Sequence, residues 1–147
     1  DGFRTAMEIS AYSLLPMARL AAPLMEKQDG SIVALTYMAS QRVVPNYNVM
    51  GSAKAALEHS VRQLAYELGP KNIRVNAISA GAVNTLSARG ISGFTGMLGQ
   101  TREKSPLQRS ITAEEVGKAG LFLLSEMSSG ITGSTIYVDA GYNIMGL

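Results

Sequence analysis

The sequence contains no cysteine and no tryptophan, and its only histidine is His59. Without cysteine there can be no disulfide and no thiolate metal ligand. A lone imidazole, read as a helix-surface residue, supplies no metal centre. Charge is scarce too. Asp, Glu, Lys and Arg make up 16% of the residues and the net charge is +2. The basic residues are scattered rather than striped, which removes support for nucleic-acid binding. No apolar run reaches the length of a membrane span and no signal peptide opens the stretch, so no membrane partner is expected and a cytoplasmic setting is.

What is present suits a single α/β domain: 147 residues, 46% of them apolar, with 15 glycines. A chain of this size can bury one core. Residues 1–27 predict one long helix, with Phe3, Met7, Leu14, Ala18, Ala21 and Met25 at i, i+3, i+4 spacing and with Pro16 and Pro23 disturbing it. Asp29-Gly30 marks a turn, and residues 31–37 form a β-rich apolar run. A continuous run of that kind fits a parallel strand covered on both faces. Residues 38–46 are then a loop at a strand's C-terminal end, where open α/β sheets bind ligands. A helix follows over residues 47–68, with Val49, Ala53, Ala56, Leu57, Leu64 and Leu68 on its apolar stripe, ended by Gly69-Pro70. Residues 73–79 predict a second strand and 134–139 a third. Between them Thr112-x-x-Glu115 reads as a capping box that opens a helix to about Leu124. The fold class expected is a doubly wound parallel α/β sheet.

Chemistry concentrates in the run Leu35 to Lys54. Six residues separate Tyr47 from Lys54. On a helix seven steps of about 100° make about 700°, which puts both side chains on one face, two turns apart. An ammonium near a phenol favours the phenolate and makes the tyrosine a better proton donor. That suits an enzyme that stabilises or protonates an oxyanion. A bare Tyr-x6-Lys match also occurs by accident, since Tyr and Lys often share a helix face.

The surrounding residues decide between these. Tyr37 stands ten residues before Tyr47, within Pro45-Asn46-Tyr47-Asn48-Val49-Met50-Gly51 and Lys54. This run resembles the active-site segment of the bacterial enoyl-acyl-carrier-protein reductases, the divergent branch of the short-chain dehydrogenase/reductase superfamily. The ordinary ketone-reducing branch carries Tyr-x3-Lys, and Met50 stands where its tyrosine would be. Three extra residues move a helical tyrosine about 4.5 Å along the axis. That shift suits enoyl reduction, where charge collects on a thioester oxygen remote from the carbon that receives hydride.

The resemblance implies a Rossmann-like domain and reduction of the trans-2 double bond of an enoyl thioester on acyl carrier protein. It implies NAD as cofactor, NADH in preference to NADPH, and a homotetramer. It implies that Tyr47 stabilises the enolate, that Lys54 binds the nicotinamide ribose, and that Tyr37 shapes the pocket or assists proton delivery. Ala80-Gly81-Ala82-Val83-Asn84-Thr85 is similar to the family's Ala-Gly-Pro-Ile-x-Thr, with Ala82 replacing the proline and Val83 the isoleucine. Ala80, Gly81, Val83, Asn84, Thr85, Leu86 and Ser87 are therefore expected to hold cofactor; Thr85 alternatively caps the next turn. Residues 85–108 resemble the family's substrate lid, or are a plain surface helix. Tyr37, Tyr47, Met50, Ile91, Phe94 and Met97 are the expected substrate contacts. The Val138-Asp139 pair resembles the superfamily's last strand, with Asp139 structural.

No strand and no Gly-rich pyrophosphate turn precedes the active-site run. The expectation is that residues 1–147 are the C-terminal part of one reductase domain whose adenosine site lies elsewhere. Two other classes stay open: a ketone- or alcohol-acting short-chain dehydrogenase, and a non-catalytic fragment.

Overall fold

Three parallel strands form the frame of the computed structural model, which describes residues 1–89 and 93–146. They are β1 (Ser31–Thr36), β2 (Arg74–Ala80) and β3 (Thr135–Val138), in the spatial order β1-β2-β3. Ser31 pairs with Arg74 and Thr36 with Ser79, while Ala77 pairs with Thr135 and Ala80 with Val138. β2 lies in the middle and is buried over five of its seven residues, as a run of Val, Ala and Ile predicts. Helix α3 (Val49–Leu68) connects β1 to β2. The short α4 (Leu86–Arg89), α5 (Phe94–Lys104) and α6 (Ala113–Leu124) lie between β2 and β3. This is the doubly wound parallel arrangement expected.

One side of the sheet is closed. Ala34, Val75 and Ala77 pack with Leu57, Val61, Leu64 and Leu68 of α3. Leu14, Ala18 and Ala22 extend the same core from the chain's start. At the sheet's other end Arg74 donates to the carbonyls of Leu123, Ser125 and Ser128. A cation there satisfies the open carbonyls at the end of α6 and suits the helix dipole.

The first helix is not continuous. It consists of α1 (Gly2–Met7), a π-helical turn (Glu8–Tyr12) and α2 (Leu14–Met25). The break centres on Ser13, whose N–H reaches Glu8 O at 3.0 Å and whose hydroxyl donates to Ile9 O at 2.7 Å. Such back-bonding competes with the regular ladder. Pro16 falls in the first turn of α2, where no N–H is required. Ala11, within the π turn, is buried, whereas Phe3, an expected core residue, is 56% exposed.

The capping box forms as predicted. Thr112 Oγ1 accepts from Glu115 N at 3.2 Å, and Glu115 Oε2 accepts from Thr112 N at 2.8 Å. Arg109 adds a bidentate pair that, with Thr112, holds the Glu115 carboxyl down at about 2. Asp139 is structural, accepting from Gly141 N and Asn143 N at 3.0 and 2.8 Å. His59 is exposed on α3, as expected.

Candidate active site

The C-terminal ends of β1 and β2 open into a cleft of about 1210 Å³. β1 presents Val33 and Leu35 to it and β2 presents Ile78 and Ala80, the alternate residues that a pleated strand turns to one face. Its far wall is α6, through Val116, Gly120 and Leu121.

Tyr37, Tyr47, Met50 and Lys54 all line this cleft. The residues singled out by spacing are thus brought together, but by a different local geometry. α3 begins at Val49, so Tyr47 lies in the preceding turn and the 700° relation does not apply. Tyr47 is set by two asparagines with positive φ, Asn46 at 65° and Asn48 at 45°. Asparagine tolerates this region better than most residues, although φ 45°, ψ −126° at Asn48 is sparsely populated even so. The Asn-x-Asn pattern about Tyr47 was the signal available in the sequence. Gly51 completes the fit: a Cβ there would stand 2.9 Å from Ala39 O, so only glycine lets α3 approach the turn after β1 this closely.

The Tyr37 and Tyr47 rings meet at 5.0 Å with an interplanar angle of 58°. The Tyr37 hydroxyl points to Met97 Sδ at 3.6 Å, which carries α5 over the tyrosine pair. Lys54 Nζ donates to Leu35 O at 2.9 Å. Burial pushes the Tyr47 phenol up, and Lys54 is itself pushed down by burial. Burial, then the neighbouring Tyr47, Tyr142 and Asp139, pushes Tyr37 up to about 12. Both phenols therefore keep their protons at neutral pH and act as hydrogen-bond donors.

Of the expected cofactor contacts, Ala80, Gly81, Val83 and Thr85 line the cleft. Ala80, Gly81 and Val83 bring no bulky side chain to the cleft beside Lys54, whose ammonium is a donor that suits a hydroxylated sugar. Leu86 stands in solvent at 85% exposure, and Asn84 is also exposed. Ser87 lies within α4. The Thr85 hydroxyl accepts from Ala88 N at 3.2 Å, the turn-capping alternative. Met97 contacts Tyr37, Phe94 opens α5, and Ile91 lies outside the described residues. Residues 86–89 and 94–104 are helical. Missed entirely were the cleft residues of α6, whose small-residue spacing Gly117-x-x-Gly120 gave the only hint.

A family model described as enoyl-(acyl carrier protein) reductase matches residues 1–143. The chain belongs to the enoyl-(acyl carrier protein) reductase family. Its sequence is 54% identical over 147 residues to the enoyl-acyl-carrier-protein reductase (NADH) FabI of Synechocystis sp.. That match takes in 100% of this chain and 57% of the relative, so the chain spans little more than half the relative's length. Among solved structures, the enoyl-acyl-carrier-protein reductase (NADH) of Aquifex aeolicus superposes with a TM-score of 0.96 at 49% identity, over 99% of this chain and 57% of that one. The Bacillus cereus reductase, in complex with NADP+ and indole naphthyridinone, gives 0.96 at 52% identity, over 100% and 57%.

Proposed function

We propose that these residues form the C-terminal part of an enzyme that reduces the trans-2 double bond of an enoyl thioester carried by acyl carrier protein, in fatty acid biosynthesis. The observation that carries this reading is the Tyr37–Tyr47 ring contact on the wall of a cleft that also holds Lys54. NADH is the proposed reductant, in keeping with the names of the Synechocystis and Aquifex relatives. The Bacillus cereus complex holds NADP+, so both cofactors belong in the assay.

A reduced nicotinamide supplies hydride to C3 of the enoyl group. Negative charge then gathers on the thioester oxygen, and Tyr47, a neutral phenol, donates a hydrogen bond to it. The resulting enolate takes a proton at C2 that comes from solvent, leaving the saturated thioester and the oxidised nicotinamide. The Tyr37 hydroxyl assists delivery of that proton, while its ring packs against Tyr47 and lines the acyl side together with Met50 and Met97; Phe94 and Ile91 belong to the same proposed side. Lys54 exchanges its bond to Leu35 O for the ribose hydroxyls. Ala80, Gly81, Val83 and Thr85 floor the nicotinamide, with Asn84, Leu86 and Ser87 continuing the cofactor edge. α4 and α5 serve as the lid over residues 85–108. A homotetramer in the cytoplasm is the proposed state.

The test is an assay of the full-length protein with crotonyl and longer enoyl thioesters, following loss of reduced nicotinamide. Turnover of enoyl thioesters supports the reading. Turnover of 3-oxoacyl thioesters in their place contradicts it.

A further inference from the structure

Among the described residues two carboxylates are buried, Asp139 and Glu58. Asp139 is accounted for by the turn that it caps. Glu58 serves no turn of its own helix. It is 4% exposed on α3, one turn beyond Lys54, beside the apolar Leu57 and Val61. Of the ion pairs among the described residues, none involves it. A buried carboxylate without a cation is tolerated only where hydrogen bonds replace water.

The donors come from one place. Glu58 Oε1 accepts from Thr36 Oγ1 at 2.8 Å and from Ser40 Oγ at 2.6 Å, and Oε2 accepts from Gln41 Nε2 at 3.5 Å. Thr36 immediately precedes Tyr37, and Ser40 and Gln41 follow it within the next turn. The carboxylate therefore grips the segment on both sides of the tyrosine. Lys54 holds the same segment at Leu35 O. If that ammonium turns to a ribose, Glu58 is the side-chain tie from α3 that stays. A fully satisfied buried network of this kind selects one loop conformation where an apolar contact would allow several.

We propose that Glu58 is a positioning residue, fixing Tyr37 at the cleft through Thr36 and Ser40. This rests on the reading of Tyr37 given above. The experiment uses the full-length protein, with Glu58→Ala, Glu58→Gln and Ser40→Ala made in the native and Tyr37→Phe backgrounds. Enoyl-thioester kinetics and the NMR signal of ring-labelled Tyr37 are both read, with His59→Ala as the neighbouring control. Misplacement of a reacting group by an ångström can cost about 100-fold, so Glu58→Ala should lower kcat by about 10- to 100-fold. The KM for NADH should move by less than about twofold, Glu58→Gln should recover most of the loss, and neither change should matter once Tyr37 is Phe. The Tyr37 signal should shift in Glu58→Ala and Ser40→Ala but not in His59→Ala.

An equal loss in both backgrounds, or an unmoved Tyr37 signal, overturns the proposal. Should Glu58→Ala not fold, Ser40→Ala decides by the same two readouts. If the signal shifts while kcat does not, the placement stands and the catalytic reading of Tyr37 is what fails.

Discussion

On the α3 side of the sheet, Ala34, Val75 and Ala77 close against Leu57, Val61 and Leu64. On the α6 side, Val33, Leu35 and Ile78 look into a cleft of about 1210 Å³. Leu35, Leu121 and Leu124 on that side are 57%, 67% and 55% exposed. The strands are the same and the residues equally apolar, so composition does not separate the two faces. What separates them is cover. α3 fills its face along twenty residues, whereas α6 reaches the other face with glycines at two of its twelve positions. The closed face supplies stability, and the open face leaves a cleft and exposed apolar surface.

This contrast can be broken first on the closed face. Ile73 is completely buried, and Ile73→Ala should cost about 2–5 kcal/mol in denaturant unfolding. Catalytic turnover per folded molecule should be unchanged. The open face predicts a property of the 147 residues alone. With three exposed leucines on the open face and, among the described residues, no strand paired to the outer edge of β1, the isolated chain should self-associate by light scattering and show no tight binding of NADH by calorimetry. A monomer with micromolar affinity would contradict this.

The third prediction concerns protons on the open face. Tyr37 is raised from 10.0 to about 12, so the folded chain holds this proton more tightly than the unfolded chain. Its contribution to stability is full below about pH 10 and declines as pH rises toward 12. An absorbance titration of wild type minus Tyr37→Phe should therefore place this phenol near 12. The smallest effect is local. Asn48→Ala keeps the strained φ of 45° without asparagine's tolerance and should lose about 1 kcal/mol, whereas Asn48→Gly should lose nothing.

Much of this was legible because it is periodic. The apolar runs that became β1 and β2 and the Thr112/Glu115 box are short-range patterns, and the backbone follows them. The Tyr37, Tyr47 and Lys54 set was legible by spacing and resemblance, though the reason given for its geometry failed. Spacing assumes a helix at Tyr47, and a positive φ at Asn48 delays the helix to Val49. The break at Ser13 is marked by backbone and hydroxyl hydrogen bonds to Glu8 O and Ile9 O that the hydrophobic spacing does not register. Glu58 was invisible for another reason: its donors lie 17 to 22 residues away, and only the folded sheet brings them to it.

The central claim is that the open face reacts through Tyr47 and holds cofactor through Lys54. Its most direct test is the kinetic division between Tyr47→Phe and Lys54→Ala in the full-length protein. Loss of one donor to a developing oxyanion typically lowers kcat by about 100- to 1,000-fold, and Tyr47→Phe should do so with the dissociation constant for NADH unchanged. Lys54→Ala should mainly raise that dissociation constant. Small and equal effects from both substitutions would contradict the account.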